Sequence, residues 1–331
     1  MKKHNYGTAI LSGFEYLLEN YPEVFVIGQG LWSPWYVGNS MTDLDKMFGK
    51  ERIIDTPISE QATTGAAIGA ALNGYSVIVV HPRMDFMILA ADQIVNQAAK
   101  WRHMLGNNSS PNITIRAIIN RGGAQGAQHS QALHSWLAHI PGLRVLMPAT
   151  ASDARDMLIA AAQSLDPVIY IDDRWCYDFE EVLAPIGDIN INDITPMIRR
   201  IGRDITIAAC GHSVQIALEA AKDIKKSLEI ECEVVDIRQI NPLKPDKVIE
   251  SVLKTGRFLA VDGGWANCGF SSELLAQVSE KINPKNLKAP LKRITLPAAP
   301  APAAPNLERI YYPSSITVEK VVKSMFNKIL D

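Results

Sequence analysis

The sequence predicts an α/β chain built as two doubly wound domains. Strand-length apolar runs alternate with helix-length amphipathic segments, the signature of helices layered on parallel sheet. The alternation loosens once, after Tyr177. A length of 331 residues also exceeds what a single hydrophobic core usually organises. The expected boundary lies near residue 190, giving domains 1–190 and 191–331.

The opening "MKKHNYGTAILSGFEYLLEN" reads as an amphipathic helix, because its apolar run is short and broken by Glu15. Strands are expected at "VFVIG", "SVIVVH", "TIRAIIN", "RVLMPA" and "PVIYID". Between them, "EQATTGAAIGAAL", "ADQIVNQAAKWRHML" and "ASDARDMLIAAAQSL" read as helices, the last starting at Ala151 or Ser152 with Asp153 at its positive end. The stretch "DFEEVLAPIGDININDITPMIRR" reads as a linker. Beyond it come the strand "DITIAAC" and the helix "SVQIALEAAKDIKKSLE", whose Val214, Ala217, Leu218, Ala221 and Ile224 form one apolar stripe. Strands "ECEVVDI", "FLAVDG" and "LKRITL" follow, and "LPAAPAPAAP" reads as a stiff, polyproline-like surface segment.

Composition removes several function classes. A formal net charge of −2 gives no reason to expect nucleic acid or an anionic membrane as partner. The basic cluster "KDIKKSLE" reads as the solvated face of a helix. No window reaches the 18 or so uninterrupted apolar residues of a membrane span. Cys176, Cys210, Cys232 and Cys268 are widely separated and lack metal-ligand spacing, so they read as buried free thiols and no metal site is expected in this chain. A cytoplasmic location is expected.

The glycine-rich stretches are poor phosphate sites. "GQGLW" follows a strand, but Ser33 stands where a dinucleotide fingerprint needs its third glycine. "RGGAQGAQ" lacks the Gly-Lys-Ser/Thr of a P-loop. Gly65 and Gly69 read as a close-packing helix face. Glu60 is more informative: a lone carboxylate at a strand-to-helix junction beside Pro57, Ile58 and a run of Ala, Gly and Ile. Taken alone it could simply favour a helix N-terminus. Phe86 alone reads as core, and His129 lies in a polar glycine-rich turn of the kind that carries function. His134 and His139 read as structural.

Taken together, "RIIDTPISEQ", "GAAIGAALNGY", "DQIVNQAAK", "GAQHSQALHSWLAHIPGLRVLMPATASDA", "VVDIRQINPLKPD", "LKTGRFLAVDGG" and "LKRITLPAAPAP" resemble, nearly end to end, the β subunit of the thiamine-diphosphate-dependent decarboxylating component of 2-oxo acid dehydrogenases. That family belongs to the wider transketolase-like superfamily. The resemblance implies a pyrimidine-binding domain followed by a transketolase C-terminal-type domain. It also implies that Glu60 contacts a ring nitrogen of the cofactor's aminopyrimidine and promotes loss of the thiazolium proton. Apolar surroundings disfavour a charged carboxylate, which suits an acid that must share or donate a proton. Phe86 matches the aromatic that stacks on the aminopyrimidine, and Ile58 is expected to add backbone and apolar surface to the pocket. His129 matches a histidine at the mouth of the site, suited to proton transfer to the oxo-acid adduct or a lipoyl acceptor.

The superfamily's diphosphate and magnesium motif is missing, since "VDGGWAN" lacks its order. The resemblance therefore implies an α subunit that supplies Mg2+ and the diphosphate grip, an α2β2 heterotetramer, a small-molecule 2-oxo acid as substrate and a lipoyl acyltransferase core as further partner. Some positions depart from the family pattern. Gln29 and Gly30 replace an acidic pair, Gln61 follows Glu60 as in transketolases, and "VVHPRM" brings His81 and Arg83 near the pocket. Arg83 reads either as a subunit contact or as an anion clamp for a substrate carboxylate or phosphate. Ser164 replaces an acidic position near the segment where some relatives hold potassium, so no such ion is assigned. These departures leave open a split transketolase-like enzyme moving ketol or acyl units between sugars or oxo acids, and a non-catalytic scaffold. Retention of Glu60, Phe86 and His129 together argues against the scaffold.

Overall fold

The structure is a computed structural model and describes residues 3–326. The chain divides into two compact units, one reaching Arg121 and resuming over Gln128–Ile194, the other formed by Gly122–Ala127 and the chain from Thr195 onward. None of the described helices is long and apolar enough to cross a membrane.

In the first unit, β1 (Lys3–Asn5) leads into α1 (Tyr6–Asn20), whose N-terminus is capped by the Asn5 side chain accepting from Thr8 N at 2.8 Å. β2 (Val24–Gly28), α2 (Leu44–Phe48), β3 (Ile53–Asp55), α3 (Glu60–Leu72) and β4 (Ser76–His81) follow. Next come α4 (Ala99–Met104), β5 (Ile113–Ile119), α5 (His134–Ala138), β6 (Arg144–Leu146), α6 (Ala151–Ala162), β7 (Val168–Asp173) and β8 (Glu180–Val182). The strands align in parallel in the order β6-β7-β5-β4-β2-β3. β4, β5 and β7 are buried along their whole length, which is why they read as near-continuous apolar runs rather than alternating ones. The apolar stripe of α1 (Tyr6, Ile10, Phe14, Leu17 and Leu18) is buried in the core shared with α6. Gly13 sets that approach, because a Cβ there would lie 3.3 Å from the Arg155 carbonyl oxygen.

The expected helix over 91–105 is more varied. Phe86–Ala90 is a 3-10 turn, Gln93–Ala98 is π-helical, and the α-helical residues are Ala91, Asp92 and Ala99–Met104. The expected linker also contains structure, since β8 pairs antiparallel with β1. A Cβ on Gly65 would touch Gln93 Cγ at 3.6 Å, whereas one on Gly69 would meet nothing within 4 Å among the described residues. The expected close packing therefore holds at Gly65 and not at Gly69.

In the second unit the chain runs through β9 (Met197–Arg200), β10 (Ile205–Ala209), α7 (His212–Leu228), β11 (Cys232–Asp236) and the short β12 (Gln239–Asn241). It continues with α8 (Asp246–Thr255), β13 (Phe258–Trp265), α9 (Phe270–Lys281), β14 (Lys292–Leu296), α10 (Pro305–Tyr311) and α11 (Ser315–Met325). Its sheet has the order β14-β13-β10-β11-β9, parallel except for β9. The α7 stripe is buried at Val214, Ala217, Ala221 and Ile224, with Leu218 at its edge. The proline-rich tract is pinned through Ala299, whose carbonyl accepts from Tyr311 Oη at 2.6 Å and Trp265 Nε1 at 3.1 Å. Three of the four cysteines are buried free thiols as expected, but Cys268 is exposed.

Candidate active site

The parallel strands of the first unit bring a set of polar residues to one edge. β2 ends at Gly28, β3 at Asp55, β4 at His81 and β7 at Asp173. Open parallel sheets bind ligands just beyond these carboxyl ends. Asp55 ties two of the ends together by accepting from Gly30 N at 2.6 Å.

Glu60 is the first residue of α3 and is only 6% exposed. A purely capping carboxylate would accept a helix N–H, yet the Glu60 carboxylate has no hydrogen bond or ion pair among the described residues. It borders a pocket of about 10 Å³, shared with Gly28, Gln29, Thr56, Thr63 and His81. That is room for about one water molecule. The strands close tightly beneath it, since a Cβ on Gly28 would lie 2.5 Å from the Val80 carbonyl oxygen.

His81 is 3% exposed, and its Nε2 lies 3.2 Å from Thr64 Oγ1. Burial pushes its pKa down to about 4, so at neutral pH it is an uncharged hydrogen-bonding group beside Glu60. Phe86 and His129 meet edge to face, with ring centroids 5.3 Å apart and planes at 86°. The segment carrying His129 is fastened to the turn before Phe86: Gln131 N donates to Asp85 Oδ1 at 3.0 Å and Leu133 N to Met84 Sδ at 3.2 Å.

Asp85 was not singled out from the sequence. Burial raises its pKa, opposed by the bonds from Gln131 and by the nearby His129. Its only sequence signal is its place next to Phe86. Ile58 lies apart from this wall: its side chain is 78% exposed, while its neighbours Pro57 and Ser59 border the pocket. Arg83 is half-buried, and its pKa is lowered first by desolvation and then by repulsion from Arg174. His134 is fully buried at the start of α5.

Comparison with known proteins fixes the family. Residues 2–176 match the transketolase pyrimidine-binding domain and residues 195–318 the transketolase C-terminal domain. The 2-oxoisovalerate dehydrogenase subunit beta of Bacillus subtilis is 34% identical over 98% of this chain and 99% of its own length. The mitochondrial pyruvate dehydrogenase E1 component subunit beta of Saccharomyces cerevisiae is 34% identical over 94% and 85%. The chain belongs to the E1 β-subunit family of 2-oxo acid dehydrogenases. This E1 β-type chain is also similar to the acetoin:2,6-dichlorophenolindophenol oxidoreductase subunit beta of Cupriavidus necator, at 39% identity over 81% of the chain and 78% of the relative. Among solved structures it shares its fold with a split-gene transketolase described as an inactive β4 tetramer, with a TM-score of 0.78, 23% identity and 98% coverage of both chains. Members of the family are enzymatic together with an α chain, and thiamine diphosphate dependence goes with the family.

Proposed function

We propose that this E1 β-type chain, joined to an α-type subunit in an α2β2 heterotetramer, decarboxylates a 2-oxo acid and passes the acyl group to a lipoyl domain of an acyltransferase core. The supporting observation is Glu60, a carboxyl almost removed from solvent and without a partner among the described residues. A buried acid of this kind fits a ring nitrogen of an aminopyrimidine, with which it can share a proton. Phe86 offers an apolar ring face for the same heterocycle, held upright by His129. Thiamine diphosphate, when bound, would supply the carbon nucleophile and would accept the electron pair left behind as CO2 departs. Glu60 holds the proton at the pyrimidine side, and His129 moves a proton at the substrate side. Asp85 positions the His129 segment through Gln131. Mg2+ and the diphosphate grip are assigned to the α subunit.

The test is to co-purify the chain with an α-type subunit and supply thiamine diphosphate, Mg2+, a dye acceptor and a panel of 2-oxo acids and sugar phosphates. Dye reduction that requires both chains and a 2-oxo acid is expected. Transfer between sugars with no oxo-acid turnover would overturn the reading in favour of a transketolase-like enzyme.

A further inference from the structure

The small pocket at the carboxyl ends of β2, β3 and β4 is bordered by two titratable side chains, Glu60 and His81. Glu60 opens α3, and His81 is the last residue of β4. Both are almost removed from solvent. The Glu60 carboxyl has no hydrogen bond or ion pair among the described residues, and Nδ1 of His81 has no hydrogen bond among them either. A buried polar group left in that state costs about 1–3 kcal/mol, so two of them bordering one void call for a common partner.

The void they share has the size of that partner. At about 10 Å³ it admits about one water molecule, and a buried water takes roughly two to four polar contacts. Thr64 fixes the imidazole through its other nitrogen, with Oγ1 3.2 Å from Nε2. Thr64 is fully buried and stands one helical turn after Glu60, so both residues lie on the face of α3 that meets the end of β4. With Nε2 engaged, Nδ1 is the nitrogen left for the pocket. If the Thr64 hydroxyl donates to Nε2, then Nδ1–H donates; if Nε2–H donates to Thr64, then Nδ1 accepts. A neutral imidazole with that freedom suits a carboxyl that holds a proton at one stage and lacks it at another.

We propose that His81 is a positioning residue for Glu60, joined to its carboxyl through a single water held in this pocket, with Thr64 setting the ring. The water engages one carboxyl oxygen and leaves the other for the aminopyrimidine. Such a bridge is nearly as favourable in enthalpy as a direct hydrogen bond. The inference rests on the reading of Glu60 as the acid that handles the cofactor's proton. It deepens that reading by giving His81 a part that involves no contact with substrate.

The experiment uses the full chain co-purified with its α-type subunit. With no thiamine diphosphate added, infrared difference spectra isolate the Glu60 carboxyl bands by subtracting the Glu60→Gln variant on each background. His81→Leu should shift those bands, because the carboxyl loses the hydrogen bond that reaches it through water. His81→Asn should leave them near the wild-type position, since its amide falls about where Nδ1 lies and can donate or accept. His81→Gln, whose amide reaches the Nε2 position instead, should shift them as His81→Leu does. With thiamine diphosphate bound at equal occupancy, proton exchange at its C2 should slow about tenfold in His81→Leu and His81→Gln, the scale of one hydrogen bond to a charged group. It should slow much less in His81→Asn. Thr64→Val should shift the bands in the same direction, and it replaces His81→Leu if that variant does not fold. Unmoved bands in the folded variant, or His81→Asn behaving as His81→Leu does, would overturn the role of His81. Neither result touches the Glu60 reading, which fails only if Glu60→Gln itself exchanges at the wild-type rate.

Discussion

Two sets of charged residues in the first unit invite comparison, one inside the sheet and one at its edge. Inside, Arg116 on β5 is fully buried, yet its Nη2 donates to Asp172 Oδ2 at 2.8 Å, to Ser40 Oγ at 2.8 Å and to Tyr177 Oη at 2.9 Å. Tyr177 Oη in turn donates to Asp172, and the Phe14 ring faces the guanidinium. Burial works against the Arg116 charge, but the Asp172 carboxylate outweighs it and holds its pKa above the usual range. At the edge, Glu60, Arg83 and Arg174 lack such partners among the described residues. Where the fold buries charge for its own sake it supplies the counter-group. Of the edge residues only Glu60 is buried, and a buried carboxyl without a counter-group among the described residues calls for an explanation that the solvent-reachable arginines do not need.

The comparison can be broken first on its structural side. Asp172→Ala leaves the Arg116 charge buried without its carboxylate and should cost about 3–5 kcal/mol of stability, read from denaturant midpoints. A loss below about 1 kcal/mol, the scale of an exposed pair, would show that the network carries no such weight. By contrast, Arg174→Gln should leave the midpoint nearly unchanged.

His81 gives the next largest effect. Its folded pKa of about 4 lies below the ordinary histidine value of 6.5, so the unfolded chain binds more protons between those two pH values. Stability should therefore fall as pH drops from 6.5 towards 4, by roughly 3 kcal/mol from this residue. His81→Gln should flatten that part of the profile. A profile identical to wild type would show that His81 is not held neutral by burial.

Phe86→Ala gives a smaller change. Loss of a stacking face worth roughly 1 kcal/mol should weaken thiamine diphosphate binding by about fivefold in the assembled enzyme. Unchanged affinity would remove Phe86 from the cofactor wall.

Much of this arrangement could be read from the sequence because it follows local periodicity. α3 occupies Glu60–Leu72, the segment read as a small-residue helix, and β4 occupies the apolar run "SVIVVH". Other features depend on contacts distant in sequence and leave no local signature. β8 is three residues long and exists because β1 pairs with it from the other end of the unit. Asp85 carries no motif, and its link to the His129 segment exists only because Gln131, 46 residues further along the chain, donates to it. The π-helical stretch Gln93–Ala98 has the apolar spacing of an ordinary helix, so periodicity could not separate it from its α-helical continuation.

The central claim is that the unpartnered Glu60 carboxyl handles the cofactor's proton. It is tested most directly by deuterium exchange at the thiazolium C2 position of thiamine diphosphate bound to the assembled α and β chains, comparing wild type with Glu60→Gln at equal occupancy. A slowing of about 100-fold or more is expected, the scale of a proton-transfer group. Exchange at the wild-type rate in the variant would contradict the account.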